Sequence, residues 1–562
     1  MKNQRLSFFL NKGKCFFVVI LILGIFFRLV DLDKKFFWGD EVYSSIRIAG
    51  YTKEEVIEQV YDSGVISVKA LDKYKFPNQE RDLTDTINAL RGNSEHPPLY
   101  YLMARFWMQW FGNSVTVLRS VSALISLLAF PGIYWLCWEL FYEGRGPEVR
   151  GQRDYSEIAV AIFAISPLHI LYAHEAREYS LWTVAILLSS AALLRAIRIK
   201  TKTSWGIYAA TLTLGFYSHL LFALTAIGHG IYVLATESWR WSKTLRFYLL
   251  STLMGIITYA PWLLVIITDF YKFHGTIAEG PEKTSLSSLI ERWFRNINRV
   301  FFDANLGSVN VILVILIAYA IYFLCRHSQR RVWLFILSLI GVTAVTLMLP
   351  DLILGSTRSL GMRYLIPCYL GIQLAVAYLL VTQISLSTNW LQKFWKILTV
   401  IIISAGVLAC VINSQKEVSW SKSDEKAKQF LQVAQNINQA NLPMVISNAD
   451  PIYVLTLSYR LEDKVKIQLI NQLNSLKIKD GFSDLFVFNP TDKLKQELVS
   501  TKNYQLQPVV QRKSIQLWQV LNKNTFNWHL EGEGEMGGWG DGGMGRRGES
   551  NLVSTRGKIK LL

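Results

Sequence analysis

The chain is divided into long apolar runs that no fold in water could bury together. They fall near residues 15–30, 116–141, 158–172, 178–196, 205–218, 220–236, 247–268, 308–325, 332–349, 363–382 and 395–413. A helix needs about 20 apolar residues to cross about 30 Å of hydrocarbon. The runs therefore predict a polytopic α-helical membrane protein with about eleven transmembrane helices. The shorter ones must borrow flanking aromatic residues or thin the bilayer locally. Composition agrees, since 51% of the 562 residues are hydrophobic and 18% are charged, where a soluble chain carries about 25% charged residues. Cys15, Cys137, Cys325, Cys368 and Cys410 sit in or beside apolar runs with no CxxC pair, which indicates neither a disulfide framework nor a zinc site.

The formal charge of +17 would suggest nucleic acid in a soluble protein. Here the basic residues cluster in short loops, where they act as an orientation signal. With Lys2, Arg5, Lys12 and Lys14 in the cytoplasm, alternate connections lie inside, and they carry Arg145/Arg150/Arg153, Arg195/Arg198/Lys200/Lys202, Arg240/Lys243/Arg246, Arg326/Arg330/Arg331 and Lys393/Lys396. The first run has no small-residue cleavage site and is read as an anchor. The count holds only if Leu99 to Phe111 is a short helix lying on the outer surface, with Arg105 and Gln109 forming a polar stripe at i, i+4 spacing. As a further span it would invert the early loops.

Three domains follow: a membrane domain over 1–413 with an outer loop at 31–113, an extracytoplasmic α/β domain over 414–530, and a tail over 531–562. In the second, residues 422–440 pattern as a surface helix, Met444 to Ser447, Asp484 to Phe488 and Ile515 to Leu521 as strands, and Thr491 to Ser500 as a helix. The tail opens with a half-glycine stretch that cannot form a packed core and is expected to be disordered.

Three segments carry candidate chemistry. Asp40-Glu41, just beyond the first run, pairs two acids at the membrane boundary; they suit a base, a metal ligand or a proton relay, or simply the first turn of a helix. In Glu95-His96-Pro97-Pro98-Leu99-Tyr100-Tyr101 the prolines fix His96 at the outer surface, where it can meet a phosphate or a sugar hydroxyl, or merely begin a helix. The stretch Ser166 to Tyr179 packs His174, Glu175, Arg177 and Glu178 between two apolar runs, either facing a cavity or forming a solvated hairpin tip. Arg28, Arg119, His219, Arg358, Arg363 and Tyr364 lie near outer membrane ends, and guanidinium groups bind phosphate bidentately. There is no P-loop and no HExxH helix, so neither ATP-driven transport nor a zincin protease has motif support.

Taken in order, Trp38-Gly39-Asp40-Glu41, His96 to Tyr101, Leu118-Arg119-Ser120-Val121-Ser122-Ala123 and Ser166 to Tyr179 resemble the integral-membrane glycosyltransferases of the GT-C fold. Within them the likeness is to glycosyltransferase family 39, the protein O-mannosyltransferase and aminoarabinose transferase-like group, and it covers about residues 15 to 413. The resemblance implies an inverting transfer of a sugar from a polyprenyl-phosphate donor to a hydroxyl on a lipid, glycan or protein acceptor. It implies Asp40 as general base and Glu41 as the residue positioning the acceptor. It further implies donor and phosphate contacts from His96, Tyr100, Arg119, His174, Glu175, Arg177, Tyr179, Arg363 and Tyr364. His96 stands where relatives often carry Lys. Asp40 and Glu175 are the acids able to hold a divalent cation, Mg or Mn, although metal-free base catalysis suits them equally. The partners expected are the lipid-linked donor, its acceptor and membrane lipids, with no nucleic acid. The location expected is a bacterial inner membrane, with the active site and C-terminal domain outside. A glycolipid transporter or flippase and an O-antigen ligase-like transferase are the competing classes. A transporter should show broken helices or repeats in its two halves, and neither is legible.

Overall fold

The computed structural model describes residues 2–142, 149–268, 284–303, 309–419, 424–478, 481–512 and 514–522. The glycine-rich tail lies outside these residues. A helix occupies each of the eleven apolar positions. Seven are long and apolar enough to cross a membrane: Val115–Leu140, Tyr179–Ile199, Lys243–Thr268, Asn310–His327, Arg330–Leu354, Met362–Leu386 and Asn389–Gln415. Gln152–Ala164 and Pro167–Ala173 form an eighth if the pair, bent by 60°, is counted as one span. Its break falls at Ser166-Pro167, where proline supplies no N–H to the ladder and starts the second helix from its N1 position. Cys15–Leu29 and Phe222–Thr236 are shorter apolar helices, and Lys202–Ser218 completes the set.

Met362–Leu386 is buried along its apolar window and Tyr179–Ile199 nearly so, which makes these two the centre of the bundle. The outer helices turn exposed Leu, Ile and Val outward, as at Leu250, Ile257, Ile312, Ile315 and Ile397, the pattern expected of faces solvated by lipid. Arg28, a phosphate candidate from the sequence, has another role. It is fully buried, donates to the carbonyls of Gly24, Phe163 and Ala164, and lies 4.7 Å from the Phe130 ring. It clamps the first helix to its neighbour where Gly24 lets the backbones touch; a Cβ there would sit 2.8 Å from that of Ala164.

The outer loop folds into helices Gly39–Ala49, Lys53–Val60, Leu83–Arg91 and Leu99–Phe111. Thr52 and Asp82 start the middle two with capping boxes to Glu55 and Asp85. Leu99–Phe111 has the predicted length and Gln109 is exposed, but Arg105 does not share its face. Arg105 is buried and donates to the Ile48 carbonyl, the Thr86 hydroxyl and the Arg81 carbonyl. Phe106, Trp110 and Phe111 face outward instead. The guanidinium satisfies backbone acceptors of the loop above it, and the aromatic residues take the apolar side.

The C-terminal residues build a sheet of order β1-β3-β2-β4-β6-β5, with β1 Val65–Ser67, β2 Pro443–Ser447, β3 Lys466–Leu469, β4 Asp484–Phe488, β5 Tyr504–Gln511 and β6 Gln516–Asn522. The three middle strands are parallel and both edges are antiparallel. The expected strands are present. β1, however, comes from the outer loop, so loop and C-terminal region share one sheet. Asp62 accepts from the Asn471 and Gln472 amides, Lys35 donates to the Asn413 carbonyl, and Ser45 meets the Tyr459 hydroxyl. These contacts hold the sheet over the helix that begins with Asp40.

Candidate active site

The helix Gly39–Ala49 turns two neighbouring acids to different sides, because successive helical residues lie 100° apart. Asp40, Tyr43 and Arg47, spaced i, i+3, i+7, line one cavity. Glu41 points into the protein and is fully buried. Its carboxylate takes a bidentate pair from Arg119, Nε to Oε1 and Nη2 to Oε2, both at 2.7 Å. It also accepts the Ala176 amide at 2.9 Å and the Trp38 amide. Arg119 spends its remaining donors on the carbonyls of Leu32, Lys35 and Phe36. Glu41 and Arg119 are therefore not the acceptor-positioning and phosphate-binding groups expected from the sequence. They form a buried clasp that ties the exit of the first helix to the 174–178 turn.

That turn, with the segment before Leu99, the connection at His219 and the start of Met362–Leu386, supplies the rest of the cavity. It encloses ≈ 410 Å³ and is lined by Asp40, Tyr43, Arg47, Asn93, Glu95, His96, Arg177, Glu178, Tyr179, His219, Arg363 and Tyr364. Arg363 Nη1 meets Asp40 Oδ2 at 2.7 Å, with both side chains about 30% exposed. Arg177 donates to the Asp40 carbonyl at 3.3 Å, to Ser44 Oγ at 3.2 Å and to Glu178 Oε1 at 3.3 Å. Glu178 also holds His96 Nδ1 at 3.0 Å and accepts from Tyr101 at 3.1 Å. Burial opposes the charge on Glu178, but Arg177 and His96 hold its carboxyl well below the usual carboxylate range. Burial likewise opposes the Arg177 cation, and Glu178 outweighs it. Burial and Arg177 push His96 down despite Glu178, and burial takes His219 to about 3. His219 Nδ1 accepts the Leu221 amide and the ring stacks on Trp182, 4.1 Å between centroids. Both histidines are thus neutral at pH 7.

The cavity sets three guanidinium groups, Arg47, Arg177 and Arg363, against three carboxylates, Asp40, Glu95 and Glu178. Asp40 holds Arg363, Glu178 holds Arg177, and Arg47 donates to Asn93 Oδ1. Arg47 Nη1, Arg177 Nε and Arg363 Nε are buried and have no hydrogen-bond partner among the described residues. Three guanidinium groups lining one cavity suit an anion with several oxygens. They fit a divalent cation poorly. Asp40 is already paired with Arg363, Glu175 is buried outside the cavity lining, and no group of three His, Cys, Asp or Glu is placed to hold a metal among the described residues.

Of the other expected site residues, His96, Arg177, Tyr179, Arg363 and Tyr364 come together with Asp40. Tyr100 and His174 do not. Tyr100 is buried with its hydroxyl on Ser122 Oγ at 2.9 Å, and His174 Nε2 meets the Phe27 carbonyl at 2.8 Å. Both hold the scaffold, because each points from its helix end toward a neighbouring element. Arg47, Tyr43 and Asn93 were not foreseen. The first two were legible in the i, i+3, i+7 spacing from Asp40.

The helical bundle capped by a mixed sheet, with a charged cavity between the bundle and the outer loop, has the GT-C fold of integral-membrane glycosyltransferases, and the resemblance read from the sequence holds. Residues 95–265 match the model of the dolichyl-phosphate-mannose-protein mannosyltransferase family. Two solved structures of ArnT from Cupriavidus metallidurans are similar, each at 12% identity with a TM-score of 0.52. The one bound to undecaprenyl phosphate aligns over 89% of this chain and 97% of its own, and the apo form over 90% and 98%. No curated protein sequence matches.

Proposed function

We propose that the chain transfers a sugar from a polyprenyl-phosphate donor to a hydroxyl acceptor on the extracytoplasmic face of a bacterial inner membrane. The observation that carries this is the convergence of the Arg47, Arg177 and Arg363 side chains on the cavity that also holds Asp40. The donor's phosphate binds these guanidinium groups, with neutral His96 beside them. The Asp40–Arg363 pair is partly solvated, and such pairs are worth about 0–1 kcal/mol. An incoming phosphate oxygen can therefore draw Arg363 away and leave Asp40 to accept a proton. As negative charge builds on the departing phosphate, fixed guanidinium groups stabilise it without reorganising. One displacement inverts the anomeric centre. The membrane domain supplies the path for the polyprenyl chain. The undecaprenyl phosphate in the ArnT structure and the family matched over 95–265 both support a lipid-phosphate donor.

The experiment is consumption of a panel of radiolabelled polyprenyl-phosphate sugars by wild-type protein and by Asp40→Asn, with mixed envelope lipids, glycans and proteins as acceptors. Loss of one donor that depends on Asp40 is expected. Equal turnover by a folded Asp40→Asn variant refutes the base assignment.

A further inference from the structure

Asp40 borders a second cavity besides the charged one. This cavity, ≈ 280 Å³, lies between the start of the helix Gly39–Ala49 and the helices Asp424–Gln439 and Pro451–Ser458 of the C-terminal region. Asp40 and Tyr43 line both cavities. The walls of the second are largely aromatic, with Trp38, Phe430 and Tyr453 beside Tyr43. Its polar groups are few. Lys426 Nζ donates to the Tyr453 hydroxyl at 2.7 Å and sits 4.8 Å from that ring. Asp450 pairs with Lys53, and Trp38 Nε1 is buried without a partner.

We infer that this second cavity is the acceptor subsite and that it takes a neutral sugar. The inference rests on the donor assignment above. In a single displacement the attacking oxygen and the leaving phosphate oxygen stand on opposite sides of the anomeric carbon. With the phosphate among the arginines, the attacking hydroxyl arrives across Asp40, where the second cavity opens. The acceptor oxygen bonds to the anomeric carbon, the bond from that carbon to the phosphate oxygen breaks with its electron pair leaving on the polyprenyl phosphate, and the hydroxyl proton passes to Asp40.

The lining selects the acceptor class. A pyranose has C–H faces that pack on aromatic rings and hydroxyls that need a few placed donors and acceptors. The aromatic walls supply the first, and the Asp40 and Asp450 carboxylates supply acceptors for the second. An anionic acceptor fits less well, because the one lysine in the wall is tied to Tyr453 and two carboxylates face it. An extended peptide would seek a free strand edge, and the residues of this cavity come from helices and the turn before Asp40. The C-terminal region thus contributes the acceptor-recognising wall.

The test uses the full chain in lipid nanodiscs, with cellobiose, maltose and chitobiose as probes read by saturation-transfer NMR. A Ser/Thr peptide and undecaprenyl phosphate are measured on the same samples. At least one disaccharide should bind. Tyr453→Ala should weaken it by about tenfold or more, and Tyr453→Phe, which keeps the ring, by less than about threefold. Undecaprenyl phosphate should bind all three proteins alike. Disaccharide binding indifferent to Tyr453→Ala overturns the inference while the donor reading stands, as does binding of the peptide alone by protein that still takes undecaprenyl phosphate. A wild-type protein that binds no undecaprenyl phosphate overturns the donor reading and the acceptor subsite with it.

Discussion

Replacing Arg119 by Met separates a structural clasp from a substrate contact. In the folded protein Arg119 neutralises the buried Glu41 through two bonds of 2.7 Å and satisfies three backbone carbonyls. Neither side chain of the pair is exposed. Removing the guanidinium leaves a carboxylate without its cation and three acceptors without their donor. Breaking a buried pair from one side costs about 3–5 kcal/mol, and most of that is the stranded charge. Glu41→Leu strands the cation and should cost a similar amount. The double variant Glu41→Leu/Arg119→Met removes both charges, so it should recover about 2 kcal/mol or more relative to the sum of the singles. The assay is unfolding of the full chain by SDS titration in mixed micelles, with undecaprenyl phosphate binding measured on the fraction that stays folded. Loss of stability with binding retained per folded molecule is expected. An Arg119→Met protein of unchanged stability that has lost undecaprenyl phosphate would refute the clasp and restore the phosphate role.

The pH dependence of stability should carry the signature of His219. Burial lowers it to about 3 from an ordinary value of 6.5, so the folded protein refuses a proton that the unfolded chain accepts. This stability is intact above pH 6.5 and is lost as the pH falls toward 3; between pH 6.5 and 5 the loss is about 2 kcal/mol, and His219→Gln should remove that share of the acid loss in the same unfolding assay while the other buried histidines keep theirs. Arg177→Lys keeps the charge but not the planar fork that spans Asp40, Ser44 and Glu178. It should raise the Kd for undecaprenyl phosphate about tenfold, measured by competition with a labelled lipid phosphate, with no large change in melting. Gly50→Ala should destabilise the outer loop by about 1–2 kcal/mol. Gly50 ends its helix at φ +89°, and an added Cβ would lie 3.1 Å from those of Arg81 and Asp85; thermal melting of the variant checks this.

Much of the fold was legible because its determinants are local. Apolar runs marked the helices, and alternating or continuous apolar residues marked β2, β4 and β6, whereas the run at 158–172, read as one unbroken span, is bent by 60° at Ser166-Pro167. β3 and β5 were missed although β2 and β6 lie close by in the chain, whereas β1 depends on a distant partner. β1 is only Val65–Ser67 and becomes a strand by pairing with β3, about 400 residues away. The site was legible to the segment but not to the residue. Asp40 and Glu41 are adjacent, and only the helix between them and the rest of the protein decides that one faces the cavity and the other a buried arginine. The 174–178 turn divides in the same way, with Arg177 and Glu178 lining the cavity and His174 held against the first helix. Arg105 shows the general difficulty, since a cation on a membrane-surface helix reads as outward-facing until backbone carbonyls are found above it.

The central claim is that Arg47, Arg177 and Arg363 hold the donor's phosphate beside a released Asp40. The most direct measurement is a cryo-electron microscopy structure of the full chain with undecaprenyl phosphate. The account predicts phosphate oxygens within hydrogen-bond distance of at least two of these guanidinium groups, with the Asp40–Arg363 pair opened. A phosphate bound elsewhere, with Asp40 and Arg363 still paired, would contradict it.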